Sequence, residues 1–212
     1  MKEGLMMRFG FVVWLMMYAS VSLAIAPRDG EDPPKTWADS TLKSLTLEEK
    51  IGQLFMVAAY SKLGEDHEKK ISSLIEDQKI GGLIFFQGGP GRQIDQTNRY
   101  QAKSKIPLLI GIDAEWGLKM RLDSTFKFPK QMTMGAMAND SLVYLMGRQV
   151  ANHCSRLGIH VNFAPVLDVN NNPNNPVINY RSFGEDRENV SRKGIAYMNG
   201  LQSRGVMANG KH

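Results

Sequence analysis

The segment 108–115 reads Leu-Leu-Ile-Gly-Ile-Asp-Ala-Glu, a continuously apolar run followed by the carboxylates of Asp113 and Glu115. A strand that is apolar along its whole length is buried on both faces, as the strands of parallel sheets are. Parallel strands are joined by crossover connections, which are usually helices. This segment therefore predicts an α/β protein in which the residues at the carboxyl ends of the strands bind the ligand.

The same alternation extends in both directions from this segment. Four further apolar runs complete a set of five candidate strands, and they lie at 54–59, 83–86, 159–168 and 206–208. Helical patterns separate them, the clearest being 93–104, 141–157 and 189–204. Such alternation fits either a closed barrel or a doubly wound open sheet, and composition does not decide between the two.

The folded domain is expected to begin at about residue 45. Thr46, followed by Glu48 and Glu49, has the pattern of a helix N-cap with acidic residues in the first turn. The preceding residues 25–44 are charged and contain prolines, so they are interpreted as a leader segment. The domain is accordingly assigned to residues 45–212.

Residues 1–24 are predicted to be a secretory signal peptide. Lys2 and Arg8 precede an apolar run at 9–19, and small residues follow at Ser22 and Ala24. The run is shorter than the ~20 apolar residues that a membrane span requires, so cleavage after Ala24 is favoured over a stable membrane anchor. Export to the periplasm or the extracellular space is the expected result.

The charge pattern argues against a nucleic-acid-binding protein, and the cysteine content argues against an intrachain disulfide. The net charge is +5, but lysine and arginine are scattered among acidic residues, which indicates a solvated surface rather than a nucleic-acid site. Cys154 is the only cysteine, so no intrachain disulfide can form, and its helical context favours a buried structural thiol.

No cofactor or metal is expected from the motifs. The sequence Gly88-Gly89-Pro90-Gly91 has the glycines of a phosphate loop, but its proline lacks the amide donor that a phosphate cradle needs. His153 and His160 lie in different predicted elements and do not have the spacing of metal ligands.

The carboxylates of Asp113 and Glu115 allow two interpretations. In an extended segment their Cα atoms would lie ~6.6 Å apart on one side, near the ~5 to 5.5 Å carboxyl separation of a retaining glycosidase. Spacing alone thus suggests a catalytic pair. Alternatively, one carboxylate orders the local turn or pairs with Lys119 or Arg121. Farther along, Asp168 is expected either to support Arg181 or to order its own loop.

Five motifs, in this order and at fitting intervals, closely resemble those of glycoside hydrolase family 3. They are Leu-Ile-Gly-Ile-Asp-Ala-Glu-Trp-Gly at 109–117 with Arg121, Asn-Phe-Ala-Pro-Val-Leu-Asp at 162–168, Asn-Pro-Val-Ile at 175–178, Arg-Ser-Phe-Gly at 181–184 and Gly-Lys-His at 210–212. The resemblance covers the chain from about Leu45 onward. It implies a TIM-type (β/α)8 barrel, which typically takes ~250 residues, and we expect an incomplete barrel with about five of the eight strands.

Asn-Pro-Val-Ile before Arg-Ser-Phe-Gly is most similar to the β-N-acetylglucosaminidase branch of the family. The resemblance implies an exo-acting, retaining enzyme, monomeric in its full-length form, that removes terminal N-acetylglucosamine from glycans, including peptidoglycan fragments. β-Glucosidase activity is the nearest alternative. Carried over position by position, Asp113 accepts hydrogen bonds from sugar hydroxyls. The residues implied to line the nonreducing-end subsite with it are Arg121, Arg181, Lys211 and His212.

The resemblance places the catalytic residues beyond His212. In this branch Lys-His is normally followed by Phe-Pro-Gly-His-Gly-Asp-Thr, whose histidine is the acid/base, and the nucleophilic aspartate comes on a later strand. We therefore expect a chain that ends at His212 to keep the sugar-binding residues but not to hydrolyse glycosides. A sugar-binding or non-functional fragment is the alternative, and open sheet edges predict partial folding or aggregation.

Overall fold

The computed structural model describes residues 36–212. The predicted signal peptide, 1–24, and most of the leader lie outside the described residues. These residues divide after Ser44 into two units. The first contains helix α1 (Trp37–Ser44), whose side chains are not buried, and the second is the α/β domain from Leu45 to His212.

The domain contains a sheet of five parallel strands in sequential order. They are β1 (Met56–Ala59), β2 (Gly82–Phe85), β3 (Leu109–Ile112), β4 (Val161–Asn162) and β5 (Met207–Ala208). A doubly wound sheet reverses its strand order at a switch point, whereas a (β/α)8 barrel adds each new strand on the same side. The order therefore confirms the barrel-type α/β fold, and all five predicted strands are present.

The register places the carboxyl ends of the strands in one row. Phe85 pairs with Ile112, Ile112 with Asn162, and Asn162 with Ala208. Residues that directly follow these positions consequently lie along one edge of the sheet. That edge is where the sequence predicts ligand binding.

Six helices connect the strands or precede them. They are α2 (Leu47–Gly52), α3 (Glu65–Glu76), α4 (Pro90–Lys103), α5 (Gln131–Gly135), α6 (Asp140–Arg156) and α7 (Arg187–Gln202). Helix α2 begins as predicted: the Glu49 amide donates to Thr46 Oγ1 at 3.2 Å, and the Thr46 amide donates to the Glu49 carboxylate at 3.0 Å. Within residues 36–212, none of the helices is long and apolar enough to cross a membrane.

The core lies between the sheet and the helices. Leu83, Ile110 and Ile112 are completely buried, and burying one such side chain contributes roughly 1.5–3 kcal/mol. Cys154 is also completely buried, as predicted, and its burial raises the pKa of the thiol to about 12. The thiol is therefore protonated at neutral pH and unreactive.

The face of the sheet opposite this core and the two outer strands, β1 and β5, are more exposed to solvent than the core. Leu109 and Met207 are 39% and 48% exposed. Among residues 36–212, β1 and β5 each pair with a single strand, so each presents an unpaired edge. Partial folding or aggregation of a polypeptide limited to these 212 residues accordingly stays a prediction.

Helices α6 and α7 cross at two glycines that permit backbone contact. A Cβ atom on Gly147 would lie 2.4 Å from the Tyr197 carbonyl oxygen, and one on Gly200 would lie 2.3 Å from the Tyr144 carbonyl oxygen. Because backbone atoms cannot rotate away, Gly147→Ala is expected to separate the helices and lower the free energy of unfolding by about 1–3 kcal/mol. Urea denaturation measures this loss.

Gly91 in α4 provides the matched control, since a Cβ atom there would meet nothing within 4 Å. Gly91→Ala is expected to stabilise the protein by up to ~1 kcal/mol, because alanine loses less backbone entropy than glycine in a helix. If both alanines shifted stability equally, the close contact between α6 and α7 would not be the reason for the effect at Gly147.

Candidate functional site

The segment that follows β3 is held from two sides by buried side chains. The Asn162 side chain accepts the Ala114 amide hydrogen at 2.9 Å and donates to the Ala114 carbonyl at 3.2 Å. Tyr197 donates to the same carbonyl at 3.3 Å, and Gln131 donates to the Glu115 carbonyl at 2.6 Å. Since Ala114 lies between the two carboxylates, these bonds fix both of them at the edge of the sheet.

Asp113 is bound by two cations and still reaches solvent. Its Oδ2 accepts a hydrogen bond from Arg121 Nη2 at 2.9 Å, and its Oδ1 accepts one from Lys211 Nζ at 2.7 Å. The Arg121 guanidinium lies over the ring of Phe86, 4.7 Å from its centroid. The Asp113 side chain is 18% exposed. Each carboxylate oxygen therefore keeps a lone pair for a further donor.

Glu115 is completely buried and is bound to two cations. Arg181 donates through Nε to Oε2 at 2.9 Å and through Nη2 to Oε1 at 2.7 Å, and Lys211 Nζ lies 2.9 Å from Oε1. Burial alone would raise the pKa of Glu115, but the hydrogen bonds from Arg181 and Lys211 outweigh it and hold the pKa below its ordinary value. The same contact raises the pKa of Arg181.

His212 connects Arg181 to Asp168. Its Nδ1 lies 2.8 Å from Asp168 Oδ2, and its Nε2 lies 3.4 Å from Arg181 Nη2. The expectation that Asp168 supports Arg181 is borne out indirectly. Glu115 binds the guanidinium itself, while the Asp168 carboxylate binds His212, which contacts Arg181, and the charge of Asp168 helps to raise the pKa of Arg181. The carbonyl of Asp168 also accepts a hydrogen bond from Ser182 at 2.5 Å, which orders the loop as the alternative expectation had it.

Lys211 reaches the site because the chain resumes parallel pairing after an interruption. Strand β5 ends at Ala208, and Lys211 then bridges Val166. The Lys211 amide donates to the Pro165 carbonyl at 3.1 Å, and the Leu167 amide donates to the Lys211 carbonyl at 2.6 Å. The pairing directs the Lys211 side chain toward both carboxylates.

These contacts form one network, which we call the charge network. Its members, in order of contact, are Arg121, Asp113, Lys211, Glu115, Arg181, His212 and Asp168. All five residues implied by the family resemblance belong to it. Three basic and three acidic side chains cancel in formal charge when His212 is neutral, so the site suits a neutral polar ligand better than an anion. Sugar binding by these residues stays a prediction.

The pairing alternative for Asp113 is confirmed and the catalytic-pair interpretation is not supported. Asp113 pairs with Arg121, as that alternative proposed, and with Lys211. Glu115 has a lowered pKa and is engaged through both oxygens, so it cannot serve as a proton donor at neutral pH. Lys119 is exposed and lies apart from these pairs.

Several contributors to the site were not assigned from the sequence, among them Phe86, Asn162, Tyr197 and Gln131. Phe86 is the last residue of the apolar run at 83–86 and directly follows β2, so its position at the carboxyl end of a strand was the available signal. Asn162 stood out as a polar residue inside an apolar run, which is the usual mark of a buried hydrogen-bonding role.

The histidines considered as metal ligands are far from forming a cluster. His153 lies 3.1 Å from the Gln149 side chain, and His160 Nδ1 accepts the Ile110 amide hydrogen at 3.0 Å. In the part of the chain that the structure describes, no three His, Cys, Asp or Glu side chains are grouped to hold a metal ion.

The lowered pKa of Glu115 predicts a pH-dependent contribution to stability. Because the folded pKa lies below the ordinary value of 4.5, the stabilisation is fully present above 4.5 and is lost as pH falls through the folded pKa. The difference in unfolding free energy between the wild type and Glu115→Gln should therefore shrink below about pH 4.5. Urea denaturation at several pH values measures it, and a difference that stays constant to pH 3 would contradict the prediction.

The glycosyl hydrolase family 3 N-terminal domain matches residues 46–212. β-Hexosaminidase A of Pseudoalteromonas piscicida is 36% identical over 156 residues, which are 68% of this chain and 26% of that protein.

Solved structures show the same relationship. A glycoside hydrolase family 3 β-N-acetylglucosaminidase from Paenibacillus sp. str. FPU-7 superposes with a TM-score of 0.72 at 36% identity, over 80% of this chain and 33% of that one. A β-glucoside phosphorylase superposes with a TM-score of 0.79 at 30% identity, over 92% of this chain and 34% of that one. The chain thus spans about a quarter to a third of the length of these proteins.

The family match covers the β-strands, the helices that connect them and every member of the charge network. The chain belongs to glycosyl hydrolase family 3 and carries its N-terminal domain over residues 46–212.

Proposed function

We propose that this chain binds the nonreducing-end sugar of a glycan at the charge network, and that it belongs to a β-N-acetylhexosaminidase that removes terminal N-acetylglucosamine by a retaining mechanism. The observation that carries the proposal is Asp113. Its two oxygens are held by different cations, yet the side chain keeps access to solvent.

Asp113 has the chemistry to recognise a vicinal diol. Two neighbouring sugar hydroxyls can donate one hydrogen bond to each carboxylate oxygen, and the flanking cations strengthen charge-assisted bonds of this kind. Arg121, Lys211 and Arg181 add N–H donors for the sugar oxygens. The cancelling formal charges of the network also fit a neutral sugar.

The choice of N-acetylglucosamine rests on the relatives named as β-hexosaminidase and β-N-acetylglucosaminidase. A β-glucosidase-type member is the second candidate, and it is supported by the likeness to a β-glucoside phosphorylase. Both candidates need the same diol recognition at Asp113. They differ at the sugar 2-position, for which the charge network provides no selective contact.

No member of the charge network is assigned the nucleophile or the acid/base. Following the family arrangement, both roles are proposed for residues beyond His212, where the nucleophilic aspartate and the catalytic histidine of this branch are found. A polypeptide that ends at His212 is therefore expected to bind sugar without turnover.

Binding and turnover can be tested separately on the 212-residue chain. Titration with N-acetylglucosamine and with glucose, followed by NMR, is expected to show saturable binding of the first sugar. Stronger binding of glucose would favour the second candidate, and no binding of either sugar would overturn the proposal. In a parallel assay with a chromogenic N-acetyl-β-glucosaminide, turnover at the rate of an ordinary glycosidase would refute the expected inactivity.

We also propose that the protein is exported to the periplasm or the extracellular space, where peptidoglycan fragments are available as substrates, and that its full-length form is a monomer, as the family resemblance implies. The support for export is the sequence pattern of residues 1–24. Mass spectrometry of the mature N-terminus tests this: cleavage after Ala24 is expected, and an intact Met1 on cytoplasmic protein would contradict it.

A further inference from the structure

Glu115 differs from the rest of the charge network in its burial. Its side chain is 0% exposed, whereas those of Asp113, Arg181 and Lys211 are 18%, 19% and 16% exposed. A ligand that reaches the other three therefore does not reach Glu115 directly. Glu115 nevertheless contacts both Arg181 and Lys211, so it lies behind the cations rather than beside the ligand.

Arg181 and Lys211 lie outside the α-helices and the five strands, so regular secondary structure does not fix their side chains. Arg181 ends a single turn of 3-10 helix at Asn179–Arg181, which follows the mostly exposed Asn- and Pro-rich loop at 170–176. Lys211 lies beyond β5, where a single parallel bridge to Val166 fixes its backbone and directs its side chain but leaves the end of that long side chain to be held by its carboxylate partners. Glu115, by contrast, stands on a segment that is clamped by Asn162 and by Gln131. The rigid partner of these contacts is the carboxylate.

We infer that Glu115 is a positioning residue, which holds the Arg181 and Lys211 side chains in the geometry that they present, together with Asp113, to the sugar. The inference rests on the proposed sugar-binding function. Glu115 engages Arg181 through the planar fork of Nε and Nη2, which fixes the orientation of the guanidinium as well as its distance. Because of Glu115, the Lys211 ammonium group contacts two carboxylates, that of Glu115 and that of Asp113.

Removing the charge of Glu115 should therefore weaken sugar binding indirectly, by changing how Lys211 and Arg181 are held. Lys211 would lose one of its two carboxylate partners and be drawn toward Asp113, where it competes with the sugar hydroxyls. Arg181 would keep the Val177 carbonyl, at 3.3 Å, and His212, but not the fork that orients it. The loss of one or two charge-assisted hydrogen bonds to the ligand corresponds to a sugar affinity about tenfold to a hundredfold lower.

The test compares Glu115→Gln with Asp140→Asn in the full 212-residue chain. Asp140 forms an ion pair of 2.5 Å with the buried Lys193 and lies outside the charge network, so its variant also weakens a partly buried ion pair. Two quantities are measured by NMR at one temperature at which all the variants are folded. One is the affinity for N-acetylglucosamine, and the other is the hydrogen-exchange rate of the Arg181 Nε–H.

Glu115→Gln is expected to lower the affinity by the stated factor and to accelerate Arg181 Nε–H exchange, while Asp140→Asn changes neither. Equal losses of affinity in both variants, or unchanged exchange in Glu115→Gln, would overturn the inference. If the wild type binds no sugar, the proposed function fails, and the exchange rate alone still decides whether Glu115 positions Arg181. Because Glu115→Gln is folded at the chosen temperature, a loss of its sugar affinity reports a change in the position of the cations and not unfolding.

Discussion

Asp113→Ala is expected to reduce the affinity for N-acetylglucosamine by about a hundredfold or more. The variant removes both oxygens that accept from the sugar diol, and hydrogen bonds to a charged group contribute about 1.5–3 kcal/mol each. It also leaves Arg121 without its carboxylate partner and Lys211 with Glu115 alone. NMR titration of the folded variant measures the loss.

Asp123→Ala serves as the control for Asp113→Ala. Asp123 forms an ion pair with Arg92 at 3.5 Å, and both side chains are 60% exposed, so the affinity should stay at the wild-type value. The comparison keeps the chemical change constant and varies only its place in the fold. Wild-type affinity in Asp113→Ala would remove Asp113 from the sugar site and, with it, the observation on which the proposed function rests.

Asn162→Leu is expected to lower both the stability and the sugar affinity. Leucine has a similar size but makes neither hydrogen bond to Ala114, so the buried Ala114 amide loses its partner and its carbonyl keeps only the longer bond from Tyr197. A buried group without a partner costs about 1–3 kcal/mol, and the total loss should be about 2–4 kcal/mol. Urea denaturation measures it.

Asn98→Leu is the matched variant at an exposed position of α4, where the same substitution should change stability by less than ~0.5 kcal/mol. The affinity of Asn162→Leu for N-acetylglucosamine is measured by the same NMR titration as that of Asp113→Ala. A loss of affinity is expected because Asn162 holds Ala114, which lies between the two carboxylates. Native stability in Asn162→Leu would show that the hydrogen bonds to Ala114 do not hold the segment.

The elements of the fold could be predicted because each is encoded by neighbouring residues. Continuous apolar runs identified all five strands, and the start of α2 at Thr46 followed from the capping pattern within four residues of sequence. The bounds of α6, Asp140–Arg156, differ from the predicted 141–157 by a single residue at each end. Burial periodicity and capping act over one or two helical turns, so the local sequence contains this information.

The order of the strands and the contacts of the site depended on the tertiary structure. Composition left the barrel and the doubly wound sheet as alternatives, and only the pairing of β1 through β5 in sequence order decided between them. The route by which Asp168 supports Arg181 likewise depended on the fold, because His212, which contacts both residues, lies 44 positions from Asp168 along the chain.

The segment 108–115 by itself determined that an apolar strand is followed by two carboxylates at the carboxyl edge of the sheet. The tertiary structure decided what each carboxylate does, because their partners lie far away in sequence: Arg181 is 66 positions from Glu115, and Lys211 is 98 positions from Asp113. An apolar run predicts burial from its own composition. Hydrogen bonds and ion pairs depend on distances of about 3 Å, which exist only after the chain has folded.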